Sequence, residues 1–421
     1  MRVGSRFDGA TVRAVNGLTA RWAAAAHPEG TAFSATAVWP LLALLADGAT
    51  GAARAELAEA VGLPAGQAAE AARELLAGLA AMAGLDSAVG LWTKRTLELR
   101  EPWASGLPAD THGVLTGDPS VDHQSLDAWA LKRTGGLIER MPVALTPDTE
   151  LVLASALTLR TRWLRPFEET PLETAYEPWA GTERLGLWRR TSVLDRVGVA
   201  DTPHGHVTEL RVLGTDGLDV HLLLGEEGMT PGQVLGAGIG ILAREHAVVP
   251  GSRLPYGEVG PGLSVVKQWS TAPEPPTLDV TTAAYDVTAS HDLLELHRLF
   301  GLTTALDARQ GHFPGISGSP LAIGSAGQTA TARFGALGFE AAAVNAFGGI
   351  PGGAAPTVRY VTAQVRARFD RPFGFLALRR HARLVLAAGW VTDPLEFVEK
   401  PWEDWENGED WDNGENGEST V

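Results

Sequence analysis

Three short segments carry residue types that could take part in catalysis or cofactor binding. His204 and His206 bring two imidazoles close together, but no third ligand follows at a metal-binding spacing, so we expect a surface turn. Segment 236–240 resembles a dinucleotide-binding loop without its third glycine, and we expect a flexible loop there. The turn around Ser317 misses the spacing of a nucleophile elbow by one residue. The sequence therefore predicts no catalytic residues, no metal, no cofactor and no enzyme activity.

The amino-acid composition excludes several kinds of site and several classes of partner. The chain has 421 residues and no cysteine, which excludes disulfides, thiolate metal sites and a thiol nucleophile. Lys and Arg total 34 against 50 Asp and Glu, and the formal charge of -16 disfavours nucleic acid as a partner. No apolar run near the N-terminus has the length of a secretory signal, and none elsewhere would span a bilayer. We therefore expect a cytoplasmic protein with no membrane partner, although export is not excluded.

Periodicity places helices in the first part of the chain and strands afterwards. Four helices are predicted up to residue 85, the second capped by Ser34 and the third by Thr50, with another between Asp122 and Met141. Strand patterns follow at 88–93, 114–117, 151–161, 207–212 and 218–224, and again at 366–369, 374–378 and 384–391. One further helix is expected near 291–300. Without a repeating βαβ rhythm, this order indicates an α+β fold.

The last 23 residues differ from the rest of the chain. From Glu399 to the end there are nine acidic residues and one lysine, together with Trp402, Trp405 and Trp411. Such an acidic, low-complexity segment is typical of disorder. We therefore expect one folded domain at 1–398 and a disordered acidic tail at 399–421.

Five separated motifs occur in order along the chain. They are Phe33-Ser34 before an apolar helix, Asp127-Ala128-Trp129 in a later helix, Ser155-Ala156 leading to Trp163-Leu164-Arg165-Pro166-Phe167, Phe313-Pro314-Gly315-Ile316-Ser317, and Phe369-Asp370-Arg371-Pro372-Phe373 followed by Gly389-Trp390. Together they resemble the serpin family, whose members inhibit proteases by inserting a loop into a sheet. The resemblance covers roughly residues 11–394 and is to a bacterial-type member of the family.

The resemblance implies a fold and a mechanism. It implies three β-sheets, about eight or nine helices and an exposed reactive loop at about 336–362. A protease would cut this loop as a substrate, and the cut loop would then enter the main sheet as a new strand, trapping the protease. Such a function needs no catalytic residue, which agrees with the lack of a recognisable catalytic motif in the sequence.

The loop's N-terminal hinge departs from the family's pattern. The segment that resembles the hinge is Gly338, Phe339, Glu340, Ala341, Ala342, Ala343 and Val344. Its alanine run suits insertion, because alternate side chains of an inserting strand point into the core. Phe339, however, replaces a small hydroxyl residue, and overpacking by an aromatic costs about 1 to 3 kcal/mol. A slower insertion would turn an inhibitor into a substrate.

Two further groups of residues have roles implied by the resemblance. Trp163 would lie in the breach, where the loop enters the sheet. The shutter, a polar cluster that lets the sheet open, would contain Ser34, Ala37, Ser155 and Gln328. Three of these four differ from the family's usual residues, which indicates either a rewired hydrogen-bond network or an equivalent one with different donors.

Two estimates of the cleaved bond disagree. Counting forward from Gly338 reaches Gly352 and Gly353, whereas counting back from Phe373 reaches Val361 and Thr362. Between these estimates lie Arg359 and Tyr360, whose large side chains would suit trypsin-like or chymotrypsin-like proteases. Both estimates remain candidates for the scissile bond.

Two functions remain open. The first is a monomeric inhibitor of serine proteases, with cysteine proteases as a second target class. The second is a non-inhibitory serpin-fold binding or scaffolding protein whose loop is cleaved without trapping. A glycosaminoglycan cofactor is not expected, because the fourth helix, at 67–82, carries Arg73 as its only basic residue.

Overall fold

Four helices open the chain in the computed structural model, which describes residues 7–339 and 359–399. Asp8 caps the first helix by accepting hydrogen bonds from the backbone N–H groups of Ala10 and Thr11, and Ser34 caps the second through Ala37. Seven α-helices lie within the described ranges: α1 (Gly9–Ala24), α2 (Ala35–Gly48), α3 (Gly51–Val61), α4 (Ala65–Ala80), α5 (Glu101–Ala104), α6 (Pro119–Arg133) and α7 (Pro231–Ala243).

The strands form three sheets. Their bounds are β1 (Thr31–Phe33), β2 (Leu85–Lys94), β3 (His112–Leu115), β4 (Leu151–Leu159), β5 (Thr161–Arg162), β6 (Glu168–Leu172), β7 (Arg184–Thr191), β8 (Val197–Thr202), β9 (Gly205–Leu213), β10 (Leu218–Gly225), β11 (Val248–Pro250), β12 (Gly257–Gly260), β13 (Leu263–Ser270), β14 (Thr277–Ala283), β15 (Tyr285–Asp292), β16 (Ser325–Phe334), β17 (Gly338–Phe339), β18 (Tyr360–Arg368), β19 (Phe373–Arg379) and β20 (Leu384–Val391).

Strand order defines the main, second and third sheets. The main sheet runs β3-β2-β4-β16-β17-β5, with β15 paired to β16. The second sheet runs β12-β13-β18-β14-β7-β6, and the third runs β1-β20-β19-β10-β9-β8-β11. The α+β class and the three-sheet architecture expected from the sequence are thus confirmed.

Helix α2 lies in the centre of the molecule. It contacts β2 and β4 of the main sheet and β20 of the third sheet, and its side chains are buried all round except at Asp47. A helix that is apolar on every face is a core helix. Helix α6 instead lies on the main sheet, where Trp129 meets Trp92 edge-to-face with ring centroids 5.8 Å apart.

Two sequence predictions are wrong. The glycines at 236–240 do not form a flexible loop but lie within α7, which begins with a capping box between Thr230 and Gln233. They let the helix pack closely on the third sheet, because a Cβ at Gly238 would lie 2.2 Å from Leu223. The helix expected at 291–300 is also absent: β15 continues to Asp292, and turns occupy 293–301. At the start of this segment, pairing of His291 and Asp292 with β16 takes priority over the local helical pattern.

Candidate functional site

The main sheet is split at one end. Between Ser325 and Ala330, β16 pairs directly with β4 in parallel. Further along, Phe334 pairs instead with Phe339 of β17, and β17 pairs in turn with β5, the continuation of β4. Since β15 occupies the other edge of β16, β17 must lie on the β4 side. β17 therefore lies in a cleft between β16 and β5. Beyond the end of this cleft, β16 and β4 pair directly.

Trp163 holds the turn that leads into β17. Its indole N–H donates to the carbonyl oxygen of Gly335 at 2.8 Å, and its backbone N–H donates to that of Leu337 at 3.0 Å. The ring is 4% exposed and lies 4.8 Å from the ring of Phe334. The residue predicted for the breach thus lies beside the entrance of the cleft.

Phe339 already lies in the core. Its side chain is 2% exposed, and its ring lies 6.4 Å from that of Phe375 in the third sheet. Gly338 precedes it because a Cβ there would lie 2.3 Å from the Thr161 carbonyl oxygen. The cost of burying an aromatic ring at position 339, expected from the sequence to oppose insertion, therefore does not arise in that step, because the ring is buried beforehand.

The predicted shutter residues form one closed hydrogen-bond network. Ser34 N–H donates to Gln328 Oε1 at 2.8 Å, and Gln328 Nε2 donates to the Ser34 carbonyl oxygen at 2.9 Å and to Ser155 Oγ at 3.1 Å. Ser34 Oγ donates to the Leu386 carbonyl oxygen at 2.6 Å and accepts from the backbone N–H of Ala37 at 3.2 Å. Each polar group of this buried cluster has a partner, as is usual in protein interiors, and both a rewired and an equivalent network remain compatible with these bonds.

His291 was missed by the sequence analysis. It lies opposite Gln328 on β15, and its Nε2 is 2.9 Å from the carbonyl oxygen of Ala32. Burial lowers the pKa of His291 below its ordinary value, although the hydrogen bond to Ala32 acts in the opposite direction. Because a helix was expected to begin at His291, the sequence did not indicate that this residue lies in the main sheet.

The later candidates for the cleaved bond lie at the start of a strand, where the backbone is paired on one edge. Tyr360, Val361 and Thr362 begin β18, opposite Ser270, Trp269 and Gln268 of β13. Arg359 N–H also donates to the Ser270 carbonyl oxygen at 3.0 Å. On its other edge, β18 pairs with β14 in parallel from Gln364 to Arg368.

The hairpin formed by β12 and β13 was not predicted. It turns at Pro261-Gly262, where Gly262 has a φ of 58° and a Cβ would lie 2.1 Å from the Arg368 carbonyl oxygen. The Pro-Gly turn followed by Leu263 and Val265 is the signal that would have identified it.

The remaining residues singled out in the sequence either have a defined position in the structure or lie outside the described residues. His204 lies in the β8–β9 turn, as expected, and His206 lies at the start of β9, where its Nδ1 is 2.7 Å from Glu226 Oε1. Within 7–339 and 359–399, no group of three His, Cys, Asp or Glu residues is arranged to hold a metal, and no helix is long and apolar enough to cross a membrane. The hinge residues Glu340, Ala341, Ala342, Ala343 and Val344, the candidates Gly352 and Gly353, and the tail from Lys400 onward lie outside these ranges.

Comparison with known proteins gives consistent results. Residues 17–181 match the family model described as serpin (serine protease inhibitor). Serpin-Z6C of rice (Oryza sativa subsp. japonica) is 28% identical across 91% of this chain and 98% of its own length, and rice serpin-Z6A is 31% identical across 32% of this chain and 38% of its own. These relatives are plant proteins, so the bacterial type stays a prediction.

Solved structures share the same fold. Human thyroxine-binding globulin in complex with thyroxine superposes with a TM-score of 0.69 at 17% identity, covering 93% of this chain and 99% of that one. Tengpin, a thermophilic serpin in its native state, gives 0.69 at 14% identity over 92% and 95%. Serpin48 of the insect Tenebrio molitor gives 0.65 at 18% identity over 92% and 98%.

Proposed function

Because this chain belongs to the serpin family, we propose that it inhibits serine proteases as a suicide substrate, with cysteine proteases as a second target class. A protease attacks the segment after Phe339, and the released chain enters the main sheet between β4 and β16. The protein itself acts as a monomer and needs no cofactor.

The position of β17 is the observation that carries this proposal. β17 runs antiparallel to both β16 and β5. The chain beyond Phe339 would therefore continue between β16 and β4, towards the residues at which these two strands pair directly. Each residue inserted at this level would break one direct pair between β16 and β4. The first is Ala330 with Leu157, and the second is Thr329 with Ala156. One parallel ladder would become two antiparallel ladders, which adds backbone hydrogen bonds and replaces the less stable pairing geometry. Insertion is therefore favourable once the chain is free to move.

The sequence after Phe339 fits such a path. Ala341 and Ala343 would share a face with Phe339, which already points into the core. Their small side chains would enter the interior without displacing neighbouring residues. Insertion must also separate Gln328 from Ser155, since these two residues face each other across the β4–β16 ladder.

The pairing of β18 favours cleavage before Arg359. A protease binds its substrate as an extended chain whose backbone is free to pair with the enzyme. The backbone of Tyr360, Val361 and Thr362 is already paired with β13. Of the two candidate positions, Gly352 and Gly353 therefore fit the proposal better.

Incubation with a panel of trypsin-, chymotrypsin-, elastase- and subtilisin-type proteases tests the proposal. A covalent band of summed mass on a denaturing gel supports trapping, and mass spectrometry of the released peptide identifies the bond. The melting temperature before and after cleavage measures insertion separately. Complete cleavage without a complex throughout the panel would contradict the inhibitor function.

The closed Gln328 network favours a second candidate, a non-inhibitory serpin-fold binding protein. Opening the β4–β16 ladder breaks at least the Gln328–Ser155 hydrogen bond in a buried environment. Each 1.4 kcal/mol added to the insertion barrier slows insertion about tenfold, while hydrolysis of the acyl-enzyme proceeds unchanged. Cleavage that raises the melting temperature without forming a complex would identify this second function.

A further inference from the structure

Four arginines surround a small cavity beside the entrance of the cleft. Arg165, Arg189, Arg196 and Arg211 line a space of about 140 Å³, together with Thr191, and no Asp or Glu lines it. Arg165 follows Trp163 in the chain, Arg189 lies on β7, and Arg211 lies on β9. We call this space the arginine cavity.

Arg165, Arg189 and Arg196 have no carboxylate partner within the described residues, and Arg189 is buried, where an arginine is usually paired. Arg189 is only 8% exposed, yet it donates to the carbonyl oxygen of Arg165 at 2.8 Å and rests on the ring of Phe167 at 4.2 Å, and its buried Nε has no hydrogen-bond partner. The side chain of Arg196 makes no hydrogen bond or ion pair within 7–339 or 359–399, while its backbone N–H donates to the carbonyl oxygen of Val193.

The other two arginines retain donors that could serve a ligand. Arg165 donates to Thr191 Oγ1 at 2.7 Å, and Thr191 Oγ1 also accepts from the backbone N–H of Val193, so its own proton stays available. Arg211 donates to the Asp195 carbonyl oxygen at 2.5 Å, whereas its buried Nε makes no hydrogen bond and lies 3.7 Å from Glu209 Oε2.

These like charges oppose one another. Burial, together with the charges of Arg196 and Arg165, lowers the pKa of Arg189 to about 10. Burial and the charge of Arg211 also lower the pKa of Arg196. An anion in the cavity would relieve both effects, because it supplies opposite charge and accepts the unused N–H groups.

A larger cavity adjoins this one. It has a volume of about 620 Å³, shares Arg196 and Arg211, and adds Arg244, Arg380 and Arg383. Its two carboxylates are engaged elsewhere: Asp219 binds Arg380 at 2.6 Å, and Glu209 binds His221 at 2.8 Å. A larger molecule whose anionic group lies in the arginine cavity therefore has room to extend into this second cavity.

We propose that the arginine cavity binds a tetrahedral oxyanion, phosphate or sulfate, either free or as the terminal group of a larger polyanion. Guanidinium forks match the oxygen spacing of phosphate and sulfate, and the four arginines approach from separate strands and connections. The volume corresponds to about four or five water molecules, at roughly 30 Å³ each. This site does not depend on the inhibitor function proposed above.

Calorimetric titration of the full chain at pH 7.5 tests the proposal. The probes are inorganic phosphate, inorganic sulfate and tripolyphosphate, with ionic strength held constant by sodium chloride so that general screening is unchanged. We expect saturable binding of phosphate and sulfate. Tighter binding of tripolyphosphate would identify the polyanion as the source, and equal binding would identify the free ion.

Matched variants assign the binding to this cavity. Arg196→Gln removes a guanidinium that has no partner, and the control Arg298→Gln removes the same charge from an exposed position on the 293–301 turns. We expect at least a tenfold loss of phosphate affinity in Arg196→Gln and unchanged affinity in Arg298→Gln. Should Arg196→Gln not fold, Arg165→Gln, at an exposed position, serves instead. Equal affinity in the cavity variant and the control, or no saturable heat above sodium chloride, would overturn the proposal.

Discussion

Gln328 and Ser34, which are 294 positions apart, exchange two hydrogen bonds at 2.8 and 2.9 Å. Through them the side chain on β16 is tied to the residue that caps α2, and its third bond reaches Ser155 on β4. The pair therefore joins the central helix to the ladder that insertion must open. Its removal affects stability and sheet opening at once.

Gln328→Leu should lower the free energy of unfolding by about 3 kcal/mol. It leaves the Ser34 N–H and the Ser155 hydroxyl without this partner in a buried site, and each such loss costs about 1 to 3 kcal/mol, while the Ser34 carbonyl oxygen keeps the N–H of Ala37. Urea unfolding measures the change. Gln67→Leu, on the exposed face of α4, is the control and should change stability by less than about 0.5 kcal/mol. A loss no larger in Gln328→Leu would mean that the network contributes nothing.

Gly338→Ala should displace β17 from its cleft. The added Cβ would lie 2.3 Å from the Thr161 carbonyl oxygen, so the strand cannot keep its pairing with β5. We expect a lower melting temperature and faster amide hydrogen exchange at Phe339. In the control Gly311→Ala, the nearest atom to the new Cβ is 4.0 Å away, and no change is expected. Unaltered exchange in Gly338→Ala would show that β17 is not held by this close approach.

Phe339→Thr should destabilise the intact and the cleaved protein equally, by about 3 kcal/mol. The reason is that the ring is buried before insertion, so its contribution is common to both states. Melting of both forms and the yield of covalent complex measure the effect. A complex that forms only with threonine at 339 would instead identify the native protein as the non-inhibitory module.

Arg359→Ala and Tyr360→Ala should leave the cleaved bond unchanged, because this part of the chain pairs with β13. Gly352→Arg, in contrast, should make the chain a better trypsin substrate, since trypsin's specificity pocket binds a basic side chain. Mass spectrometry of the released peptides decides between these positions. A native cleavage after Arg359 or Tyr360 would mean that β18 leaves its sheet to be cut.

Acidification from pH 7 to pH 5 should destabilise the protein through His291. Its folded pKa is lowered by burial, so below about pH 6.5 the unfolded chain binds a proton that the folded chain resists. Stability is therefore complete above the unfolded pKa and is lost as the pH falls. His291→Gln should reduce the slope of unfolding free energy against pH, while the exposed control His381→Gln keeps it. Part of the slope remains in both, because burial also lowers the pKa of His112.

Local sequence signals predicted most of the elements and the resemblance to a family. Ser34 before an apolar run predicted the start of α2, and alternation predicted β2, β9, β10, β19 and β20 close to their observed bounds. The ordered motifs around Trp163, Phe313 and Phe373 predicted the three-sheet fold. These signals depend on residues a few positions apart, which is why they can be interpreted without coordinates.

Only the tertiary structure decided how the candidate site is assembled. The packing of Phe339 against Phe375, the pairing of β18 with β13 and the Gln328–Ser34 bonds each join residues that are distant in the chain. The arginine cavity likewise brings together Arg165, Arg189, Arg196 and Arg211 from separate strands and connections. Register between distant strands depends on the pairing of the whole sheet, and a local pattern specifies which face a side chain occupies but not which strand lies beside it.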